Sequence, residues 1–333
     1  MMPKEKNHFT HILLPVFALF CLLFIGCQRP PENRDSQSGS FILGFSQIGA
    51  ESAWRNYNTR SVQEAAEEAG IQLLYFNAEQ KQENQIRAIR SLIAYQVDVI
   101  AFVPIVTTGW EHVLEEARDA GIPVLICDRE ISIHDENLYA GFIGTNSIQE
   151  GQSAAEFLVR RFSGTERDGP VRIIELSGTE GSSVAINRGS GFREILAAHS
   201  AEFEIIYSAS GDFLRSKGYE LACLILDNHD DFDVLFSHND SMTLGAIDAM
   251  KERGIAPGVD IIIVSIDAEQ AAIDALVRGE INCVVECNPK QGPDIIGLAS
   301  HLARDEWIPR VTYTSSQVFS EEDDLSRIPP RGY

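Results

Sequence analysis

The residues best able to do chemistry in this chain are few and poorly grouped. Of six cysteines, Cys21 lies within an apolar N-terminal run and Cys27 closes it, which leaves Cys127, Cys223, Cys283 and Cys287. Cys283 and Cys287 are four residues apart in one strand-like run, so their Cα atoms are about 13 Å apart. A disulfide spans no more than roughly 7 Å. The spacing C-V-V-E-C also departs from the C-x2-C of zinc sites. These four cysteines read as small buried apolar side chains. The eight histidines form no H-x3-H pair, and no metal is expected. No G-x-G-x-x-G follows a strand, and neither G-x-x-x-x-G-K-[ST] nor G-x-S-x-G occurs. The turn Gly178-Thr179-Glu180-Gly181-Ser182-Ser183 follows an apolar run and opens a helical pattern. It could hold an anion at a helix N-terminus, but a tight βα turn is the favoured reading. No catalytic set emerges, so an enzyme is not expected and no cofactor is implied.

The elements that would position a site are clearer. Strand-like runs fall at Phe41–Gln47, Gln72–Phe76, Val99–Val103, Pro123–Cys127, Val171–Leu176 and Glu204–Ser208, then at Val234–Phe236, Ile261–Ile266 and Cys283–Cys287. They are short, rich in Ile, Val, Leu and Phe, and barely alternate, as strands buried on both faces of a parallel sheet do. Between them lie helical patterns such as Ile86, Ile89 and Ile93 against Gln82, Glu83, Asn84 and Arg87. Helices stop at Gly before the next strand in Ala69-Gly70-Ile71, Ala120-Gly121-Ile122 and Arg253-Gly254-Ile255. The class is α/β with parallel sheets. The number of units favours two lobes, and periodicity alone leaves a TIM barrel open.

The 333 residues carry 27 Lys+Arg against 49 Asp+Glu, a net charge of −22. Such a surface repels phosphate backbones and anionic headgroups, which excludes nucleic acid and a polybasic membrane role. The run Ile12–Ile25, preceded by Lys4 and Lys6, has the length of a signal-peptide core rather than of a membrane span. Its end, Leu23-Phe24-Ile25-Gly26-Cys27, resembles a bacterial lipobox, with Cys27 as the lipidated residue. Residues 1–26 are therefore expected to be a lipoprotein signal peptide and 27–40, polar and Pro-containing, a flexible tether. An ordinary secretory signal or a short anchor helix is the plainer alternative.

From residue 41 onward the chain resembles the periplasmic sugar-binding proteins of ABC transporters, the ribose/galactose-type family, and within it the galactofuranose-binding branch. The resemblance rests on Gly44–Arg55 (GFSQIGAESAWR), Gln80–Ile86 (QKQENQI), Val103–Trp110 (VPIVTTGW) and Asp128-Arg129. Ser183–Arg188 (SVAINR), Gly211–Gly218 (GDFLRSKG), His238-Asn239-Asp240 and the terminal Gly332-Tyr333 continue it. It implies two doubly wound parallel-sheet lobes, the type I periplasmic binding protein fold, joined by three crossovers and closing on one sugar. The lobes would be 41–144 with 288–313, and 145–287 with 314–333. The implied partners are a monosaccharide, galactofuranose-like, and membrane permease subunits; the protein would be exported, lipid-anchored and monomeric. An alternative with the same lobes is a sugar or autoinducer sensor signalling to a kinase or chemoreceptor. A repressor would need a DNA-binding segment in place of the apolar N-terminus.

The resemblance also places site residues. Trp54 and Phe213 match positions that stack on a sugar's C–H faces. Asp128, Arg129, Arg188, Asn239 and Asp267 match positions that bind hydroxyls, and Glu51, Ser52 and Arg55 are additions of the branch. The residue types suit that work, since a carboxylate accepts from two hydroxyls and a guanidinium donates in a fixed fork. Core packing for Trp54, a loop plug for Phe213, an ion pair for Asp128 and Arg129, helix surface for Arg188 and a helix cap for Asp267 are the plainer roles. Capping of the helix after Ser237-His238 is assigned to Asp240, which leaves Asn239 for the ligand. Cys287 stands where ribose-type relatives carry an amide, beside Glu286, which argues for a sugar other than ribose.

Overall fold

The computed structural model describes residues 41–229 and 231–333, so the N-terminal apolar run, the Cys27 motif and the tether lie outside the described residues. The chain alternates β1 (Ile42–Gln47), α1 (Ala53–Glu68), β2 (Gln72–Asn77), α2 (Gln82–Ala94), β3 (Val99–Phe102), α3 (Glu111–Asp119), β4 (Val124–Cys127) and β5 (Gly141–Gly144). A second series follows: α4 (Ser147–Phe162), β6 (Val171–Ser177), α5 (Ser183–Ala197), β7 (Phe203–Ser210), α6 (Arg215–Asn228) and β8 (Val234–Ser237). It continues with α7 (Asp240–Glu252), β9 (Ile262–Asp267), α8 (Gln270–Val277) and β10 (Cys283–Glu286). The chain ends with α9 (Gly292–Leu302), β11 (Val311–Tyr313) and β12 (Val318–Ser320).

These strands build two open six-stranded sheets, ordered β11-β5-β4-β3-β1-β2 and β12-β10-β9-β8-β6-β7. A single closed barrel is thereby excluded. Every pairing is parallel except β10 with β12. The two sheets repeat one winding, which reverses between β1 and β3 and again between β6 and β8; such reversals open a crevice at the strands' carboxyl ends. Every residue of β3, β4, β5, β8 and β10 is buried, because helices cover both faces. Each sheet accordingly has one apolar layer on either side.

Three strands escape the sequence pattern. β5 reads Gly-Phe-Ile-Gly, with only two apolar side chains between glycines to mark it, and β11 and β12 are three-residue edge strands with exposed positions. The helical stripe of α2 is also rotated from its expected place. Its buried side is Gln85, Ala88, Ile89 and Leu92, with Ile86 and Ile93 only half-buried. Gln85 is turned inward because its amide donates to the Val103 carbonyl (2.7 Å) and accepts from the Ile105 amide (3.2 Å) at the end of β3. In the second lobe, α4 and α5 cross so closely that a Cβ on Gly151 would stand 2.0 Å from the Arg188 carbonyl oxygen.

The chain passes between sheets after β5, after β10 and after β11. The passing segments are bonded to one another: Thr145 Oγ1 is 3.3 Å from Cys287 Sγ, the Thr314 amide donates to Gly144 (2.9 Å), and the Glu286 amide donates to Gln317 (2.7 Å). At the chain's end, the Tyr333 ring centre lies 5.2 Å from that of Tyr57 in α1, while its carbonyl accepts from the Gln270 amide in α8 (2.6 Å). Of the cysteines, Cys127, Cys283 and Cys287 are buried as expected, whereas Cys223 on α6 is only half-buried; all four are free thiols.

Candidate ligand-binding site

All ten residues singled out in the sequence line one cavity, together with Val184 and Cys287. Both lobes contribute at the carboxyl ends of their strands.

The first lobe's wall begins in the turn after β1. Ser52 caps α1, its hydroxyl accepting from the Arg55 amide (3.0 Å), so this side chain serves the helix. The cap fixes Glu51 and Arg55 one turn apart, with Arg55 Nε donating to Glu51 Oε1 (2.9 Å). Arg55 Nη2 reaches on to Asp128 Oδ2 at 2.7 Å. Asp128 follows β4 with φ of 61°, a left-handed conformation that non-glycine residues hold at some cost and mostly at functional sites. Arg129 donates from Nη1 to the Ile105 carbonyl (3.1 Å). Trp54, 4% exposed, packs into the second lobe's apolar layer, and its indole N–H donates to the Cys287 carbonyl at 2.5 Å. It is both core and cavity wall.

The second lobe's wall centres on Arg188 of α5. Its Nε donates to Glu150 Oε2 (2.8 Å), Nη1 to the His238 carbonyl, and Nη2 to Asp267 Oδ1 (3.4 Å). Asp267 ends β9 with φ of 132°, and it caps no helix. Phe213, at φ of 62°, lays its ring over Gly178, where a Cβ would fall 1.8 Å from the ring. The guanidinium of Arg129 stands 5.2 Å from that ring's centre, across the cleft. Cys287 offers a thiol that burial holds well above its usual range, hence protonated and a weak partner for hydroxyls.

One assignment is corrected. Asn239, not Asp240, caps α7: its backbone is extended (φ −156°) and its Oδ1 accepts from the Met242 amide at 3.0 Å. Its Nδ2 donates to the Phe213 carbonyl (3.2 Å), which ties the cap to the cavity wall. Asp240 is the first helical residue, and its carboxylate takes the Ser265 hydroxyl and the Glu269 amide (2.7 Å).

Electrostatically the cavity is balanced, with Arg55, Arg129 and Arg188 against Glu51, Asp128 and Asp267. Burial opposes the charge of Arg55, but Asp128 and Glu51 outweigh it and hold the guanidinium above its usual value. Arg188 is raised likewise by Glu150 and Asp267. Arg129 lacks a close carboxylate, and burial together with the like charge of Arg55 pulls it down to about 10. Burial pushes the Asp267 carboxyl well up, with Arg188 acting against it. Three buried atoms at the cavity, Glu51 Oε2, Arg55 Nη1 and Arg129 Nε, have no partner among the described residues. Each such group costs about 1–3 kcal/mol if left unpaired. The arrangement suits an uncharged ligand with both donors and acceptors, that is, several hydroxyls, and apolar faces for Trp54, Val184 and Phe213. Among the described residues no group of His, Cys, Asp or Glu is placed to hold a metal ion.

The sequence reading missed Glu150, which is 2% exposed and orients Arg188. In sequence it is only an acidic residue in the first turn of α4, a place any helix favours. Its pairing exists only once α4 and α5 pack.

A family model described as a periplasmic binding protein domain matches residues 43–306. The chain is 39% identical over 319 residues to the galactofuranose-binding protein YtfQ of Escherichia coli (strain K12), covering 94% of this chain and 99% of that protein. It is 30% identical to the fructose import binding protein FruE of Bifidobacterium longum (strain NCC 2705), covering 87% of each. Among solved structures, one from Mycobacterium smegmatis in complex with β-D-fucofuranose superimposes with a TM-score of 0.85 at 42% identity, over 88% of this chain and 96% of that one. The binding protein of an arabinose ABC transporter from Shewanella sp. ANA-3, bound to α- and β-L-arabinofuranose, gives 0.80 at 38% identity, over 84% and 92%. YtfQ, FruE and the Shewanella protein are binding proteins, not enzymes.

Proposed function

The chain belongs to the periplasmic binding protein domain family, and from that premise we propose that it captures a furanose-form monosaccharide for an ABC importer. The observation that carries this reading is the charge-balanced cavity between the sheets, with buried donors and an acceptor still unpaired. A neutral polyol satisfies those atoms without leaving a net charge in a dry site, whereas an anion or cation would not. Asp128, Arg129, Arg188 and Asp267 hold the hydroxyls, Trp54 and Phe213 take the apolar faces, and Glu51, Arg55 and Asn239 complete the rim. The lobes, 41–144 with 288–313 and 145–287 with 314–333, close by hinge motion at the three crossings. A galactofuranose-like sugar is favoured because YtfQ is named for galactofuranose and the two structures above hold fucofuranose and arabinofuranose. The thiol of Cys287, a poor hydroxyl partner, fits a sugar other than ribose.

Pentoses and hexoses screened by thermal shift test the reading, since a ligand stabilises the native state by RT ln(1 + [L]/Kd), about 2.7 kcal/mol at 100 Kd. Galactose or a related sugar with an accessible furanose form should raise Tm, and ribose should do little. A response confined to amino acids, peptides or nucleotides would refute it. The proposal extends to export and anchoring: residues 1–26 are removed and Cys27 is lipidated, holding the domain to the membrane through 27–40. Cys27→Ser should then release the protein into the soluble fraction or leave it unprocessed. A wild-type protein already soluble, with its mature N-terminus elsewhere, would end the anchoring proposal.

A further inference from the structure

The turn Gly178–Ser183 is glycine-rich and opens α5, and the sugar-binding reading leaves most of it without a task. Its polar groups reach the other lobe. The Gly181 carbonyl accepts from the Thr107 amide at 2.9 Å, and the Ser183 hydroxyl accepts from the Glu130 amide at 2.7 Å. One turn further along α5, Asn187 Nδ2 donates to Glu130 Oε2 at 2.8 Å. Thr107 follows β3 and Glu130 follows β4, so all three bonds run from the first lobe to the second. Gly181 has φ of 77°, while a Cβ there would meet Val106 at an ordinary 3.5 Å. The backbone angle that aims its carbonyl, not a lack of room, is what calls for glycine.

On the second lobe these bonds fall after β6, three strands from β10, where the chain crosses back. With strands about 4.8 Å apart that is roughly 14 Å, so a rotation at the crossings moves this turn far more than the crossings themselves. On the first lobe the Ser132 amide donates to the Thr107 carbonyl at 2.7 Å, which makes the two loops move together. Opening the lobes therefore breaks the three bonds as a set. None of Thr107, Glu130, Gly181, Ser183 and Asn187 lines the sugar cavity.

We propose that these bonds are a latch on the closed lobes, and that Glu130 and Asn187 set sugar affinity without touching the sugar. This rests on the sugar-binding reading above and deepens it: the cavity chooses the sugar, and the latch sets how long it is kept. An interaction made only in the closed form favours closure by the same amount for every ligand that closes the lobes. Its loss lowers the closed fraction and raises every apparent Kd by one factor, leaving the order of preference among sugars unchanged. Sugar leaves through the opened cleft, so the change falls on the dissociation rate.

The Glu130–Asn187 bond uses side chains at both ends and can be altered there. Asn187→Asp sets two carboxylates against each other, and Kd should rise about tenfold or more for each sugar that binds, mostly through faster release. Adding Glu130→Gln puts a donor opposite the new acceptor, and the double variant should return to within about threefold of wild type. A damaged fold would not be rescued in this way. Calorimetric titration and stopped-flow release, with several sugars from the thermal-shift screen, read both effects. The latch is overturned if Asn187→Asp binds within about threefold of wild type, if its loss depends on the sugar, or if Glu130→Gln does not reverse it; sugar binding by the wild type keeps the reading of the cavity standing in each case. Should the wild type bind no sugar, that reading falls by itself, and small-angle X-ray scattering of the sugar-free proteins judges the latch. Asn187→Asp should then show the larger radius of gyration and the double variant should recover, whereas equal radii overturn the latch as well.

Discussion

Arg129 is the side chain on which the candidate site most depends, because it keeps an unpaired Nε at the cavity while lacking the close carboxylate that Arg55 and Arg188 each have. Bound hydroxyls would be its principal polar partners, so Arg129→Ala should raise Kd by roughly 10–150-fold, the cost of one charge-assisted hydrogen bond of about 1.5–3 kcal/mol. Trp307→Ala is the control: the ring is 82% exposed, lies outside the cavity, and its loss should leave affinity nearly unchanged. Calorimetric titration of both variants with the sugar found by screening decides the matter; tight binding by a folded Arg129→Ala protein would remove Arg129 from the site. At this scale the sequence was legible where a residue matched a family position. It was not where two neighbours could exchange roles: Asn239 and Asp240 can both cap a helix, and only the extended backbone at Asn239 decides between them. Ser52 lines the cavity, and its hydroxyl also caps α1, a role the sequence did not reveal.

At the scale of elements, the turn after β6 places the second aromatic. The absence of a side chain at Gly178 is what lets the Phe213 ring lie over that turn. Gly178→Ala would drive a Cβ into the ring, and overpacking of this kind costs typically about 1–3 kcal/mol. The ring must then leave its place, so sugar affinity should fall by about tenfold or more along with Tm. Unchanged affinity in calorimetry would show that Phe213 does not shape the cavity. The turn was visible in the sequence as glycine-rich, but its purpose was not, because the ring it accommodates arrives from more than thirty residues later in the chain. The buried strands were legible through their continuous apolar runs, whereas β5 begins and ends in glycine, and β11 and β12, three residues each, are too short to produce a pattern and exist because neighbouring strands offer them an edge.

For the molecule as a whole, Glu175 is a second focus of buried charge, joining β6 to its neighbours. It meets His238 Nε2 (3.1 Å) after β8, Arg193 (2.5 Å) on α5 and Ser208 on β7. Burial alone would raise its carboxyl, but these partners prevail and hold it far below the ordinary 4.5. The folded state therefore binds fewer protons than the unfolded one at and below the carboxylate range, and this stabilisation is full above 4.5 and lost progressively as pH falls from there toward the far lower folded value. His238, lowered from 6.5 by burial, acts in the same sense, since unfolding on acidification lets it take up a proton. Glu175→Gln should be less stable than wild type at pH 7, with the gap narrowing once pH falls below the ordinary 4.5 and continuing to narrow toward about pH 2; chemical denaturation from neutral pH down to that acidity measures it. A gap independent of pH would show that the charge of Glu175 is not what stabilises.

The discontinuity of the two sheets bears on how such a chain acquires its shape. Thr314, just after β11, bonds to Gly144 at a separation of 170 residues, and the Gly292 amide bonds to Ser61 at 231. Neither sheet has all its strands until the last tenth of the chain is present. Contacts this remote in sequence close late, after local helices and neighbouring strands have formed. A ribosome delivering the chain from its N-terminus would thus hold two unfinished lobes until synthesis is nearly over. For a protein proposed to be exported, that delay prolongs the interval in which the chain can still be threaded across a membrane.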